Sequence, residues 1–334
     1  MVPRAEQESA PASLPLSTEF ITNDPRLKQS LECLPTYAKS DLPILLTGEP
    51  GTGKELVVEA ICALSRPWRR TCQRLNCASL TESLACSELF GHLRGAFTDA
   101  NRSRPGKFRL AHGATLFLDE VGELPLGVQP KLLRAVEQGE IEPVGGDTAV
   151  KVNVRLIAAT NQNLPKLVAQ GRFRQDLLDR LAVLTIHLPP LRERLNDVAL
   201  LARHFAREVG RRHGSRSVRF SLAAVRRLQQ HSWPGNVREL KNVITRAVLF
   251  CSGGLIRGQD IAFTSQPGEA RGPLILSGEF PTTRPTGNRL QELLKEEQGN
   301  ISALSRRLQV CTKTIYRWLR RHGIDLVSLR AAAV

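Results

Sequence analysis

The sequence predicts an α/β fold, a parallel sheet covered by helices, followed by a helical unit and then a small all-helical terminal domain. Three observations carry this. Short apolar runs alternate with amphipathic stretches up to about residue 190, only helical periods remain from 192 to 251, and a Pro-, Gly- and Thr-rich stretch at 266–287 sets off the last 47 residues. Fully apolar strands separated by helices argue a parallel sheet buried on both faces. A chain of 334 residues has room for about two domains, each with its own core.

Taken in order, residues 1–18 are a polar, Pro-rich tail without an apolar h-region, so no secretory signal is visible. Residues 42–47 (LPILLT) form the first strand, followed by a Gly-rich turn and a helix over 55–64. Residues 115–118 (TLFL) form a second strand that ends in Asp119; 152–159 and 183–187 supply a third and a fourth. Helical periods then cover 197–209, 221–231 and 236–251. The stretch 266–287 reads as a linker. The expected organisation is a tail at 1–18, an α/β unit at 19–190, a helical unit at 191–265, the linker, and a terminal domain at 288–334.

Composition bounds the function. Lys and Arg number 47 against 32 Asp and Glu, a net charge of +15 with a pI near 10.1, which points to a polyanionic partner such as nucleic acid. Nine basic and four acidic residues fall in 288–334, a net +5, so the basicity is expected to concentrate there. The 41% hydrophobic content excludes wholesale disorder. No apolar run approaches the roughly 18 residues of a membrane span, which excludes an integral membrane protein. The seven cysteines are odd in number and show no CxxC spacing; they read as reduced, buried thiols of a cytoplasmic protein.

The chemistry sits in two motifs. Gly48-Glu49-Pro50-Gly51-Thr52-Gly53-Lys54 has the G-x-x-x-x-G-K spacing of a phosphate-binding P-loop and lies between a strand and a helix. Its glycines let backbone N–H groups curl around phosphate oxygens, the helix N-terminus adds positive potential, and Lys54 reaches the outer phosphates. Glu55 stands where a Ser or Thr is usual, and its carboxylate can reach Mg²⁺ directly or through water. Asp119, at the end of a buried strand, is placed to hold Mg²⁺, and Glu120 to polarise a water for attack on the γ-phosphate of ATP.

A longer pattern joins these motifs. Glu88-Leu89-Phe90-Gly91-His92 runs into Gly95-Ala96-Phe97-Thr98-Asp99-Ala100. From about residue 19 to about 325 the chain resembles bacterial enhancer-binding activators of sigma-54 RNA polymerase, an AAA+ ATPase domain with a helical lid followed by a Fis-type helix-turn-helix. Residues 95–100 match that family's GAFTGA loop in five of six places, with Asp99 in the fifth. The resemblance implies that this loop contacts sigma-54. It also implies that Asn76 is the switch asparagine that holds the catalytic glutamate, and that Thr160 and Asn161 read the γ-phosphate. By the same resemblance Arg174 and Arg180 are arginine fingers offered to a neighbouring subunit, and Arg238, in the segment 233–240, is a second sensor on the lid. Trp233 is expected in the lid core. Fingers acting in trans imply a homo-oligomeric ring, hexameric by the resemblance.

In the terminal domain, helices at 290–297, 302–308 and 312–321 give helix, turn, helix at the length of the DNA-binding motif. Ile301, Leu304, Leu308, Val310, Ile315, Trp318 and Leu319 pack together, leaving Thr312, Lys313, Thr314, Tyr316, Arg317, Arg320 and Arg321 for double-stranded DNA. The expected function is ATP-driven remodelling of the sigma-54 closed complex from an upstream site. Asp99 leaves a second reading open, a regulator of the same architecture that acts on other promoters without engaging sigma-54. With about 18 residues before the ATPase, no sensory domain is expected, and control is expected from a regulator acting in trans.

Overall fold

The computed structural model describes residues 20–97, 100, 102–212, 218–251, 254–263 and 287–297, together with Ile301, Leu304, Ile315, Trp318, Leu319, His322 and Ile324. The chain divides into two compact units, Met1–Phe263 and Thr264–Val334.

The first unit is organised on a five-stranded parallel sheet. Across it the order is Cys72–Asn76, Thr115–Asp119, Arg155–Thr160, Ile44–Thr47 and Leu184–His187. Successive side chains of a strand point to opposite faces, and the cores follow that alternation. Leu45, Leu116, Leu118, Leu156 and Ala158 join one buried cluster; Ile44, Leu46, Phe117, Ile157 and Ala159 join the other. Both faces are therefore covered by helices, as the apolar runs predict.

Three strand expectations are corrected. Cys72–Asn76 is a strand that periodicity missed, because an edge strand with Gln73 and Arg74 in its middle shows no continuous apolar run. The third strand begins at Arg155, not 152, and that arginine is fully buried. Its guanidinium donates to Ser65 Oγ at 2.7 Å and to the carbonyls of Tyr37 and Ala38 at 2.6 and 3.2 Å, so its charge is spread over oxygen acceptors. The helical unit also holds a small parallel pair, Arg219–Phe220 with Leu255–Ile256, where only helices were expected.

The lid packs three helices, Leu195–Arg212, Leu222–Gln230 and Asn236–Phe250, around Trp233. Trp233 is fully buried and its indole N–H donates to Leu228 O at 2.9 Å, which satisfies the ring's one polar atom. The helix at 222–230 starts where Ser221 Oγ caps Ala224 N. Six cysteines are described, all as free thiols: Cys62, Cys77 and Cys86 are buried, Cys72 and Cys251 half-buried and Cys33 exposed. Cys33 thus departs from the expectation of buried thiols.

In the second unit the helix Gly287–Glu296 buries Leu290, Leu293 and Leu294 against Ile301, Leu304, Ile315, Leu319 and Ile324, with Trp318 at the edge. Leu308, Val310, the DNA-facing set Thr312, Lys313, Thr314, Tyr316, Arg317, Arg320 and Arg321, the tail 1–18 and the linker at 266–286 lie outside the described residues. Among the described residues no helix is long and apolar enough to cross a membrane.

Candidate active site

The loop Gly48–Gly53 leaves the strand Ile44–Thr47 and opens the helix Lys54–Leu64. Its shape depends on glycine at Gly51, where φ is +78° and an added Cβ would lie 2.6 Å from Gly235 O. Lys54 is buried and folds back on its own loop, donating to Gly48 O at 2.7 Å and Glu49 O at 3.3 Å. Burial pulls its ammonium below the usual lysine range, an effect opposed by the Glu120 and Asp119 carboxylates. Thr52 Oγ1 donates to Glu49 O at 2.8 Å, tightening the loop.

A cavity of about 390 Å³ opens here between the sheet and the lid. Lys54, Glu55, Asp119 and Glu120 line one side; Phe205, Val237, Arg238 and Lys241 line the other. Asp119 Oδ1 accepts from Glu120 N at 3.1 Å. Glu120 sits at φ +53°, left-handed and strained for a residue with a side chain, at the point where the chain turns off the strand. Its Oε2 accepts from Asn161 N at 3.1 Å. Asn76 lies beside Asp119 in the sheet register, but its Oδ1 accepts from Ala78 N, and no bond joins it to Glu120 among the described residues. Thr160 is buried, its hydroxyl accepting from Gln162 N at 3.0 Å and its carbonyl from Gly48 N at 3.2 Å. Glu55 stands 3.7 Å from Arg74 and lines the cavity. Among the described residues no three carboxylate, thiol or imidazole groups gather around one point as a metal cage.

The lid is fastened to the loop by groups that sequence reasoning missed. Glu49 receives two bonds from Arg192, at 2.7 and 2.8 Å, and one from Asn236 Nδ2 at 3.1 Å; these hold its carboxyl below the usual range. Asn236 also donates to Pro50 O and accepts from Leu191 N. Gly51 O caps the amino end of the helix Asn236–Phe250 by accepting from Val237 N at 3.0 Å and Arg238 N at 3.3 Å. Arg194, buried, donates to Thr52 O at 3.1 Å and lies 3.7 Å from the buried Asp197. Asp197 in turn accepts from Thr22 Oγ1 at 2.6 Å and Asn23 N at 2.5 Å. Nothing in the local sequence separates these from ordinary surface charges and caps.

Other expected site residues lie apart from the cavity. Arg174 precedes the helix Gln175–Leu181 and pairs with Asp176 at 2.5 Å, while Arg180 pairs with Glu137 at 2.6 Å. Both arginines are exposed. Between the paired segments Gly91–His92 and Arg104–Pro105 runs the loop at 93–103. Gly95 N donates to Ala100 O at 2.9 Å, Ala100 N to Phe97 O at 2.9 Å, and Ala96 N to Leu93 O at 3.1 Å. Phe97 is 43% exposed, and its ring meets His92 edge-on at 5.0 Å. Thr98 and Asp99 lie outside the described residues.

The sheet, the phosphate loop and the closing lid define a P-loop ATPase of the AAA+ class. Residues 20–187 match the family described as the Sigma-54 interaction domain, and residues 192–273 match the AAA+ ATPase lid domain. The chain belongs to this family of sigma-54-interacting transcription regulators. It is 41% identical to the anaerobic nitric oxide reductase transcription regulator NorR of Vibrio vulnificus, over 96% of this chain and 68% of that protein. It is 46% identical to the Nif-specific regulatory protein of Enterobacter agglomerans, over 89% of this chain and 59% of that protein. The crystal structure of NtrX from Brucella abortus in complex with ATP superimposes with a TM-score of 0.67 at 29% identity, covering 91% of this chain and 70% of that one.

Proposed function

We propose that the chain is a sigma-54-dependent transcriptional activator, binding upstream DNA through residues 288–334 and using ATP hydrolysis to remodel the closed complex of sigma-54 RNA polymerase. The observation that carries this is the cavity in which Lys54 faces Asp119 and Glu120 beneath a lid bonded to the same loop. NtrX, crystallised with ATP and with ADP, supports a nucleotide as the occupant.

In this reading the backbone of 48–53 cradles the phosphates and Lys54 exchanges its carbonyl partners for the outer phosphate oxygens. Glu120 orients the attacking water and accepts its proton; Asn161, bonded to it, relays the state of the γ-phosphate, with Thr160 and Asn76 fixing the strand ends around them. Arg238 closes on the phosphates from the lid. Asp119 and Glu55 line the cavity as two carboxylates and not a full cage, which suits Mg²⁺, an ion that takes its remaining ligands from phosphate and water. When bound, Mg²⁺ would neutralise charge on the phosphates. Arg174 and Arg180 leave their acidic partners to serve the site of a neighbouring subunit, so the working form is a ring, a hexamer by family. The loop at 95–100 engages sigma-54, with Phe97 as its exposed anchor. Lys54→Ala tests the reading. ATPase activity and nucleotide-dependent capture of sigma-54 should be lost while binding to upstream DNA persists; transcription retained in that variant would refute the mechanism.

A further inference from the structure

The positive charge of the chain is not where its density alone suggested. Residues 20–190 hold 21 basic and 18 acidic residues, a net +3 over 171 positions, whereas residues 191–263 hold 14 basic and 5 acidic, a net +9 over 73. The lid is thus at least as basic per residue as the terminal domain, which corrects the expectation that the excess concentrates at 288–334. The distribution has an address. On the helix Leu195–Arg212, Arg203, Arg207 and Arg211 recur every fourth residue and are all exposed. At 1.5 Å rise per residue they stand about 6 Å apart along one face. The opposite face is the buried one, with Val198, Ala202, Phe205 and Val209.

What sets this row apart is its regular spacing along one helix face, with the carboxylates of that helix engaged elsewhere. In the α/β unit Arg74, Arg104, Arg134, Arg174 and Arg180 each pair with a carboxylate, while other exposed arginines there, Arg26, Arg70, Arg109 and Arg172 among them, stand singly without an ion pair among the described residues. On this helix the carboxylates are taken elsewhere: Glu208 by Arg212 and Lys241, Asp197 by Arg194. Among the described residues none of the three row arginines has an ion-pair partner. Like charges repeated at i, i+4 oppose helix formation, so an unrelieved row costs stability that pairing would have restored.

We propose that Arg203, Arg207 and Arg211 grip the phosphate backbone of duplex DNA without reading its sequence, giving the ATPase unit a DNA contact of its own. A duplex offers a phosphate about every 3.4 Å of axis on each strand, so three guanidinium forks spread over about 12 Å meet acceptors without fine registration. The row carries charge without an aromatic anchor, which suits a polyanion backbone better than the surface of a folded acidic protein. The inference rests on the reading that the terminal domain binds DNA: once that domain holds its site, the tethered lid meets flanking duplex at high effective concentration.

The experiment is anisotropy of the full chain on a fluorescent duplex of scrambled sequence, titrated from about 50 to 200 mM salt. The triple variant R203Q/R207Q/R211Q should lose three phosphate contacts and flatten the slope of log K against log salt by about 2.7. Its ATPase rate should equal that of the wild type, and the single variant R207Q should flatten the slope by about 0.9. The triple lysine variant, which keeps the charge, should retain the wild-type slope. An unchanged slope in both glutamine variants overturns the proposal. Failure of the wild type itself to bind any duplex in a salt-dependent way would instead overturn the DNA-binding reading beneath it.

Discussion

The sheet and the lid share one cavity but contribute to it by different means. The sheet delivers Lys54, Asp119 and Glu120 from strand ends and the turns after them, positions locked by a ladder of parallel pairings. The lid delivers Phe205, Val237, Arg238 and Lys241 from helix faces, and among the described residues a few bonds fix those faces to the loop: Glu49 with Arg192 and Asn236, Pro50 with Asn236, Gly51 with Val237 and Arg238, Arg194 with Thr52. Groups that must be placed finely come from the rigid layer. The lid groups come from the layer held to the loop by fewer bonds, the kind of attachment that opens at lower cost.

The difference can be broken at four points of decreasing effect. Trp233→Ala removes the one fully buried tryptophan of the lid core and should destabilise the lid by about 3–5 kcal/mol. A thermal scan should show the loss, and a midpoint within experimental error of the wild type would deny Trp233 that place. Asp197→Ala leaves Arg194 buried without its carboxylate and frees Thr22 and Asn23; about 3 kcal/mol is expected. Here chemical denaturation measures the cost, and Asp197→Ala combined with Arg194→Met should recover part of it.

Smaller effects test the fastening itself. Glu49→Gln and Arg192→Ala each break an exposed clasp worth no more than about 1 kcal/mol. They should weaken nucleotide affinity by a few-fold in calorimetry, and the double variant should lose no more than either single one. The least effect comes from His231, whose ring stacks on Phe263 at 3.9 Å and accepts from Trp233 N at 3.0 Å through Nδ1. Burial lowers its affinity for a proton, with Glu239 opposing. The unfolded chain therefore binds that proton more readily, and lid stability should fall as pH drops below about 6.5. His231→Asn should flatten this slope; an equal slope in the variant would assign it to other groups.

How much of this could be read in the sequence follows from where information is local. The loop 48–54 and the strand ending in Asp119 were legible, because spacing and apolar runs are properties of neighbouring residues. The strand Cys72–Asn76 was not, since an edge strand satisfies one side with solvent and needs no apolar run. The clasp of Glu49 by Arg192 and Asn236 joins residues 143 and 187 positions apart, and no window of sequence contains it. Asn76 is the reverse case: its motif is local, but which group its side chain meets is not, and here its Oδ1 accepts from Ala78 N while Glu120 accepts from Asn161 N.

The bonds from Lys54 to Gly48 and Glu49 bear on which ligands the loop admits. Two main-chain carbonyls take two of the ammonium's three N–H groups, so an incoming anion that draws on more than the third has to outcompete acceptors that never diffuse away. A lone phosphate group offers little beyond what it displaces. A polyphosphate engages the loop amides and the lysine together, and only that combined grip outbids the loop's own carbonyls. Nucleoside monophosphate should therefore compete for the loop more weakly than diphosphate, a difference that calorimetry reads.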